Sequence, residues 1–124
     1  MPELLTDNIV RGLTNALAVH DRRHQVIASN LANVQTPGYR ARELDFEKAL
    51  EHSFDAQKPG ELPTTPVEAR VMDDPNAPGR DDGNTVDVDL QMAKLAANSG
   101  RYNALAKILG KRFTLLRYAI DGTR

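Results

Sequence analysis

Cysteine and tryptophan are both absent from the 124-residue chain. Without cysteine there is no disulfide framework, thiolate metal site or thiol nucleophile, and the redox compartment stays undetermined. No apolar run approaches the ~20 residues that cross a bilayer, so no transmembrane segment is expected. The opening Met1-Pro2-Glu3-Leu4-Leu5 lacks the basic and apolar stretches of a cleavable secretion signal. No glycine-rich loop lies between a strand and a helix to cradle a phosphate. What remains, 40% apolar and 27% charged residues, suits one ordinary soluble domain.

The formal net charge of −1 conceals a strong asymmetry. Residues 1–42 hold 5 Lys/Arg against 3 Asp/Glu, residues 43–89 hold 4 against 13, and residues 90–124 hold 7 against 1. The acidic middle also carries Pro59, Pro63, Pro66, Pro75 and Pro78, with Gly60, Gly79 and Gly83 among them, so no continuous helix passes through it. Val67, Ala69 and Val71 alternate with Glu68 and Arg70, which fits one short strand or half of a hairpin.

Helices are predicted on either side. From Asp7 to Ala32 there is no proline, and Ile9, Leu13, Ala16, Leu17, His20, His24, Ile27 and Leu31 fall in one sector at ~100° per residue. Asn33 and the turn-forming Thr36-Pro37-Gly38 end this helix, with Asn33 suited to the left-handed conformation. The second helix is predicted to begin at Asn84 as its cap, with Asp87 and Asp89 at the positive end of its dipole. Val86, Val88 and Leu90 alternate as in a strand, but the pattern beyond them is helical over many turns.

That pattern is a heptad. Val88, Met92, Leu95, Ser99, Tyr102, Ala106, Leu109, Phe113, Leu116 and Ile120 follow steps of four and three, the spacing of a left-handed supercoil. The predicted intrachain seam therefore joins Ile9, Leu13, Leu17, Ile27 and Leu31 to Val88, Met92, Leu95, Tyr102, Leu109, Phe113, Leu116 and Ile120. The second helix has another apolar strip on its far side, including Leu90, Ala97, Ala104, Ile108 and Leu115, and the first helix repeats the theme with Val19 and Val26. One partner cannot cover both sides of a helix, so these seven residues are the expected assembly interface. The fold expected is mainly α: two long terminal helices packed as a coiled-coil-like pair, joined by a Pro/Gly-rich acidic irregular segment with one short strand or hairpin. It is read as one domain in three parts, residues 1–36, 37–83 and 84–124.

Signals for chemistry are weak. His20 and His24 stand one helical turn apart, as metal ligands can, but no third ligand is placed, and structural histidines at an apolar seam are the commoner case. Asp81-Asp82-Gly83-Asn84 lacks the spacing of a calcium loop and reads as a turn. Acidic pairs in an irregular segment offer no cleft for acid–base catalysis. Lys94, Arg101, Lys107, Lys111, Arg112 and Arg117 spread around their helix instead of forming a stripe, which argues against nucleic acid. No cofactor, metal or small-molecule substrate is expected, and no enzymatic activity.

One string is specific. Ala28-Ser29-Asn30-Leu31-Ala32-Asn33-Val34-Gln35-Thr36-Pro37-Gly38-Tyr39-Arg40-Ala41 resembles the N-terminal signature of the bacterial flagellar rod and hook proteins, carried by Asn30, Asn33, Thr36, Pro37, Gly38 and Tyr39. Asp82-Gly83-Asn84-Thr85-Val86-Asp87, with Met92-Ala93-Lys94-Leu95-Ala96, Asn98 and Arg101-Tyr102 after it, resembles the second signature of basal-body rod proteins. The resemblance implies a non-enzymatic rod subunit that assembles through its terminal helices into a torque-transmitting drive shaft in the periplasm. It further implies export by the flagellar apparatus without a cleavable signal. The partners it implies are other copies, other rod proteins, the rod adaptor, the membrane-ring protein and the export apparatus. The alternative is a soluble helical adaptor or chaperone that binds another protein through the same strips, and a small metalloenzyme using His20 and His24 is the third reading.

Overall fold

Proline lacks the backbone N–H that a helix start leaves unused, so it is tolerated in a first turn. Helix α1 accordingly runs Pro2–Ala32, beginning five residues before the predicted Asp7. In this computed structural model of the chain, residues 2–54 and 70–122 are described. After α1 come a turn, strand β1 (Arg42–Leu44), helix α2 (Phe46–Phe54), strand β2 (Val71–Asp73) and helix α3 (Val88–Asp121). The strands pair antiparallel, with Arg42 opposite Asp73 and Leu44 opposite Val71. The two long helices pack against each other, as the sequence predicts, with the small hairpin between them in the chain.

The α2 helix was not expected, because the acidic middle was read as irregular apart from one short strand or hairpin. Its local sequence explains it: no proline or glycine occurs from Tyr39 to Lys58, and Phe46, Ala49 and Leu50 recur at i, i+3 and i+4. Leu44 and Ala49 form a core cluster with Val19 and Val26 of α1, and Phe46, Leu50 and Val71 pack around it. This corrects the assignment of Val19 and Val26 to an outer assembly face, since α2 and the hairpin bury both. Of the expected strand, Val71 lies in β2, while Val67 and Ala69 fall outside the described residues.

Helix α3 is capped by Asp87, whose carboxylate accepts the Leu90 N–H at 3.2 Å. Asn84, the cap expected from the sequence, stands clear of the helix and serves another purpose. The buried line of α3 also departs from the apolar heptad. Gln91 and Asn98 are its buried residues, with Leu95, Leu105, Leu109, Arg112 and Leu116 half-buried along the same line. This line still steps by four and three, apart from a step of seven past the exposed Tyr102, but it is rotated by about half of the ~100° between successive residues. Leu95, Leu109 and Leu116 of the predicted seam therefore stay near the inside. Val88, Met92, Tyr102, Phe113 and Ile120 turn outward and are exposed. On α1, Leu13 and Ile27 are buried, Leu17 and Leu31 half-buried, and Ile9 is at the exposed edge. The rotation follows from polar satisfaction: Gln91 and Asn98 have partners waiting on α1, and a buried amide with its hydrogen bonds made no longer opposes burial.

Candidate functional site

The turn after α1 and the approach to α3 are built as one unit. Pro37 and Gly38 occupy the centre of a turn closed by the Tyr39 N–H on the Thr36 carbonyl at 3.2 Å, and Gly38 adopts φ +73°. Gly83, at φ +81°, sits in the second turn, where its own N–H bonds the Arg80 carbonyl at 2.9 Å. Both positions need a residue without a Cβ penalty in the left-handed region. The two turns lie against each other: the Gly38 N–H reaches the Asp82 carbonyl at 3.0 Å, and a Cβ on Gly83 would stand 3.5 Å from Gly38 Cα. The Thr85 N–H then bonds the Tyr39 carbonyl at 3.0 Å, and the Thr85 hydroxyl accepts the Ala41 N–H at 2.7 Å.

Asn84 is the hub. It is fully buried, and its Nδ2 lies 3.0, 3.0 and 2.8 Å from the carbonyls of Asn33, Val34 and Thr36, while its Oδ1 accepts the Val86 N–H at 2.8 Å. These carbonyls belong to the turn that follows α1, so Asn84 pins the end of the first helix from about fifty residues away in the chain. The Arg80 guanidinium adds a further donor to Val34 O. No residue other than glycine has positive φ among the described residues. Asn33 therefore does not end α1 in the left-handed conformation, and instead its Nδ2 donates to the Ser29 carbonyl at 2.8 Å. Thr36 donates to Asn33 Oδ1 at 3.2 Å, and Tyr39 places its hydroxyl 3.4 Å from Ser29 Oγ.

Asn30 works from inside α1. Its Oδ1 accepts the Arg42 N–H at 2.9 Å and its Nδ2 donates to the Arg42 carbonyl at 2.8 Å, which fixes the returning chain as a strand partner would. The same Nδ2 reaches Gln91 Oε1 of α3 at 3.1 Å. Below this, Lys94 of α3 bonds Glu43 of β1 at 2.8 Å and Asp74 at 3.1 Å, and Arg23 of α1 lies 3.4 Å from Glu43 and over the Phe46 ring. Burial opposes the Glu43 charge, but hydrogen bonds from Lys94 and the Leu44 N–H outweigh it and hold the carboxyl below its ordinary pKa. Burial likewise opposes the Lys94 charge, and its two carboxylate partners raise its pKa on balance.

The sequence pointed to the first half of this junction through Asn30, Asn33, Thr36, Pro37, Gly38 and Tyr39. Lys94 and Asn98 stood in the second signature without a role assigned to them, and Gln91 was missed, its one visible signal being the seven-residue spacing from Asn98 inside a helix. Among the described residues, no three His, Asp or Glu side chains converge as a metal site would require. Leu90 and Ile108 are exposed, Leu115 is 62% exposed, and Ala97 and Ala104 lie on the same open side of α3.

A lock of backbone carbonyls and buried amides is a device for setting the angle between two helices. The profile of the flagella basal body rod protein family matches residues 11–40, the C-terminal two thirds of α1 with its turn. The chain is 32% identical to the flagellar basal body rod protein FlgB of Aeromonas hydrophila, over 86% of this chain and 88% of that protein. With FlgB of Bacillus subtilis the identity is 32% over 95% of this chain and 97% of that protein. The chain belongs to the FlgB family of flagellar basal body rod proteins. FlgB of Escherichia coli, at 33% identity over 77% of this chain, agrees. As a FlgB-family protein the chain is a structural component of the basal body rod and not an enzyme. No helix among the described residues is long and apolar enough to cross a membrane.

Proposed function

We propose that this subunit is held in the rod by the outer sides of α3, which its own fold leaves bare, and that other copies and other rod proteins cover them. The observation that carries this reading is the distal half of α3, where Ile108, Phe113, Leu115, Tyr118 and Ile120 are 49, 53, 62, 55 and 83% exposed. Single exposed apolar residues need no explanation, but a series along one helix marks a surface that is covered in use. Leu90, Ala97, Ala104, Ile108 and Leu115 form one contact strip, and Met92, Phe113 and Ile120 form another on the opposite flank. With neighbours on both, α3 becomes an interior helix, and interlocked helices with dry contacts transmit torque without sliding. The rod adaptor and the membrane ring are the contacts at the end of such a shaft, and the flagellar export apparatus delivers the subunit without cleavage.

The test is Leu115→Asp, expressed in cells whose own gene for this subunit is disrupted. Because the side chain is largely exposed, the free subunit keeps its stability to within about 0.5 kcal/mol in urea unfolding. Swimming is lost and the variant is missing from purified basal bodies. Normal motility with the variant incorporated would remove α3's outer strip from the assembly surface.

A further inference from the structure

Among the described residues, His20 is the ionisable residue that the fold buries most deeply, at 2% exposure. It holds three elements together. Its Nδ1–H donates to Asn98 Oδ1 of α3 at 2.8 Å, Asn98 Nδ2 donates back to the His20 carbonyl at 2.9 Å, and Phe46 of α2 meets the imidazole edge to face at 4.9 Å. The reciprocal pair settles the tautomer. With the amide nitrogen committed to the His20 carbonyl, the amide oxygen faces the ring, so Nδ1 carries the hydrogen and a second proton goes to Nε2.

The surroundings are hostile to that second proton. From α1 the ring is approached by Arg23, and from α3 by Arg101, both positive. Helix α2 sets the uncharged Phe46 against the ring, and Glu43 of β1 is engaged by Arg23 and Lys94. A cavity of 390 Å³, large enough for water, lies beside the ring and is lined by His20, Asp21, His24, Asn98 and Tyr102 among others. Asp21, the only carboxylate on that lining, accepts a hydrogen bond from Gln25 at 3.4 Å.

We propose that the buried His20 ring is an acid-operated latch on the α1–α3 seam: the helices close over the imidazole while it is neutral, and a proton on Nε2, which leaves the Nδ1–H bond to Asn98 intact, places a charge in a buried site beside Arg23 and Arg101 and loosens the seam. Burial, opposed by the Asn98 hydrogen bond and reinforced by Arg101 and Arg23, keeps the imidazole below its ordinary value of 6.5. The folded chain then binds fewer protons than the unfolded chain in that range. The stabilisation is complete above 6.5 and is lost as pH falls from there through the folded pKa. The latch is a property of the single chain and does not depend on how the rod is assembled.

The experiment titrates the His20 ring of the full chain by NMR and measures urea unfolding from about pH 7.5 to about pH 5, for the wild type, His20→Gln and Asn98→Asp. In the wild type, His20 titrates below 6.5, and the unfolding constant rises by up to about tenfold per pH unit relative to His20→Gln. Asn98→Asp sets a carboxylate against Nδ1, so His20 titrates above 6.5 and acid now stabilises the fold. The sign reversal does not depend on His20→Gln being well folded. A wild-type His20 that titrates at or above 6.5, or an Asn98→Asp protein with an unchanged pH slope, would overturn the latch.

Discussion

At the scale of single residues, the junction depends on amides because an amide offers donor and acceptor on one rigid plane. Asn84 uses both: its nitrogen serves three carbonyls at the end of α1 while its oxygen holds the Val86 N–H. Leaving a buried group unsatisfied costs about 1–3 kcal/mol, so Asn84→Ala should destabilise the chain by roughly 3 kcal/mol in urea unfolding. Asn84→Asp should cost more, because it keeps the size but turns an acceptor toward three carbonyl oxygens. Equal losses for the two variants would mean that packing, and not donation, is what Asn84 supplies. That a polar residue sat near position 84 was legible in the sequence. Which helix it capped was not, because the choice between α1 and α3 rests on a contact between segments far apart in the chain.

At the scale of elements, α3 carries two glycines that its own fold does not require. A Cβ placed on Gly100 or Gly110 would meet nothing within 4 Å, and neither residue has positive φ. Glycine inside a helix costs about 1 kcal/mol against alanine, so Gly110→Ala should stabilise the isolated chain by roughly that amount in thermal unfolding. If α3 is packed by close neighbours at that point, the same variant lowers swimming despite the gain. Helix α2 carries the matching lesson about reading sequences. The prolines and acidic residues of the middle segment suggested irregular chain with one short strand or hairpin and no helix. The stretch from Phe46 to Leu50 is nevertheless free of breakers and amphipathic, and the core it forms with Val19 and Val26 selects the helix.

At the scale of the whole molecule, stability is unevenly distributed. The buried side chains of α3 are Gln91 and Asn98, both in its first half, while toward Asp121 no described side chain is fully buried. Amide hydrogen exchange should therefore be slowest at residues 91–100 and quicken toward Asp121 in the free subunit, and should slow over the distal turns in assembled rods. Uniform protection along α3 in the free subunit would contradict this gradient. The polar locks cluster at the junction end, so that end sets the helix angle, and the other end is left to its neighbours.

The sequence by itself determined the two long helices, the break between them, the turn at Pro37-Gly38 and the surplus of apolar surface on α3. Each of these is written in spacing, breakers or composition within a short stretch of chain. Only the tertiary structure decided which line of α3 faces inward. The apolar heptad and the amide-bearing heptad differ by a small rotation, and periodicity weighs hydrophobicity alone. It cannot register that Gln91 and Asn98 become cheap to bury once Asn30 and His20 stand opposite them, because that energy exists only when the two helices meet.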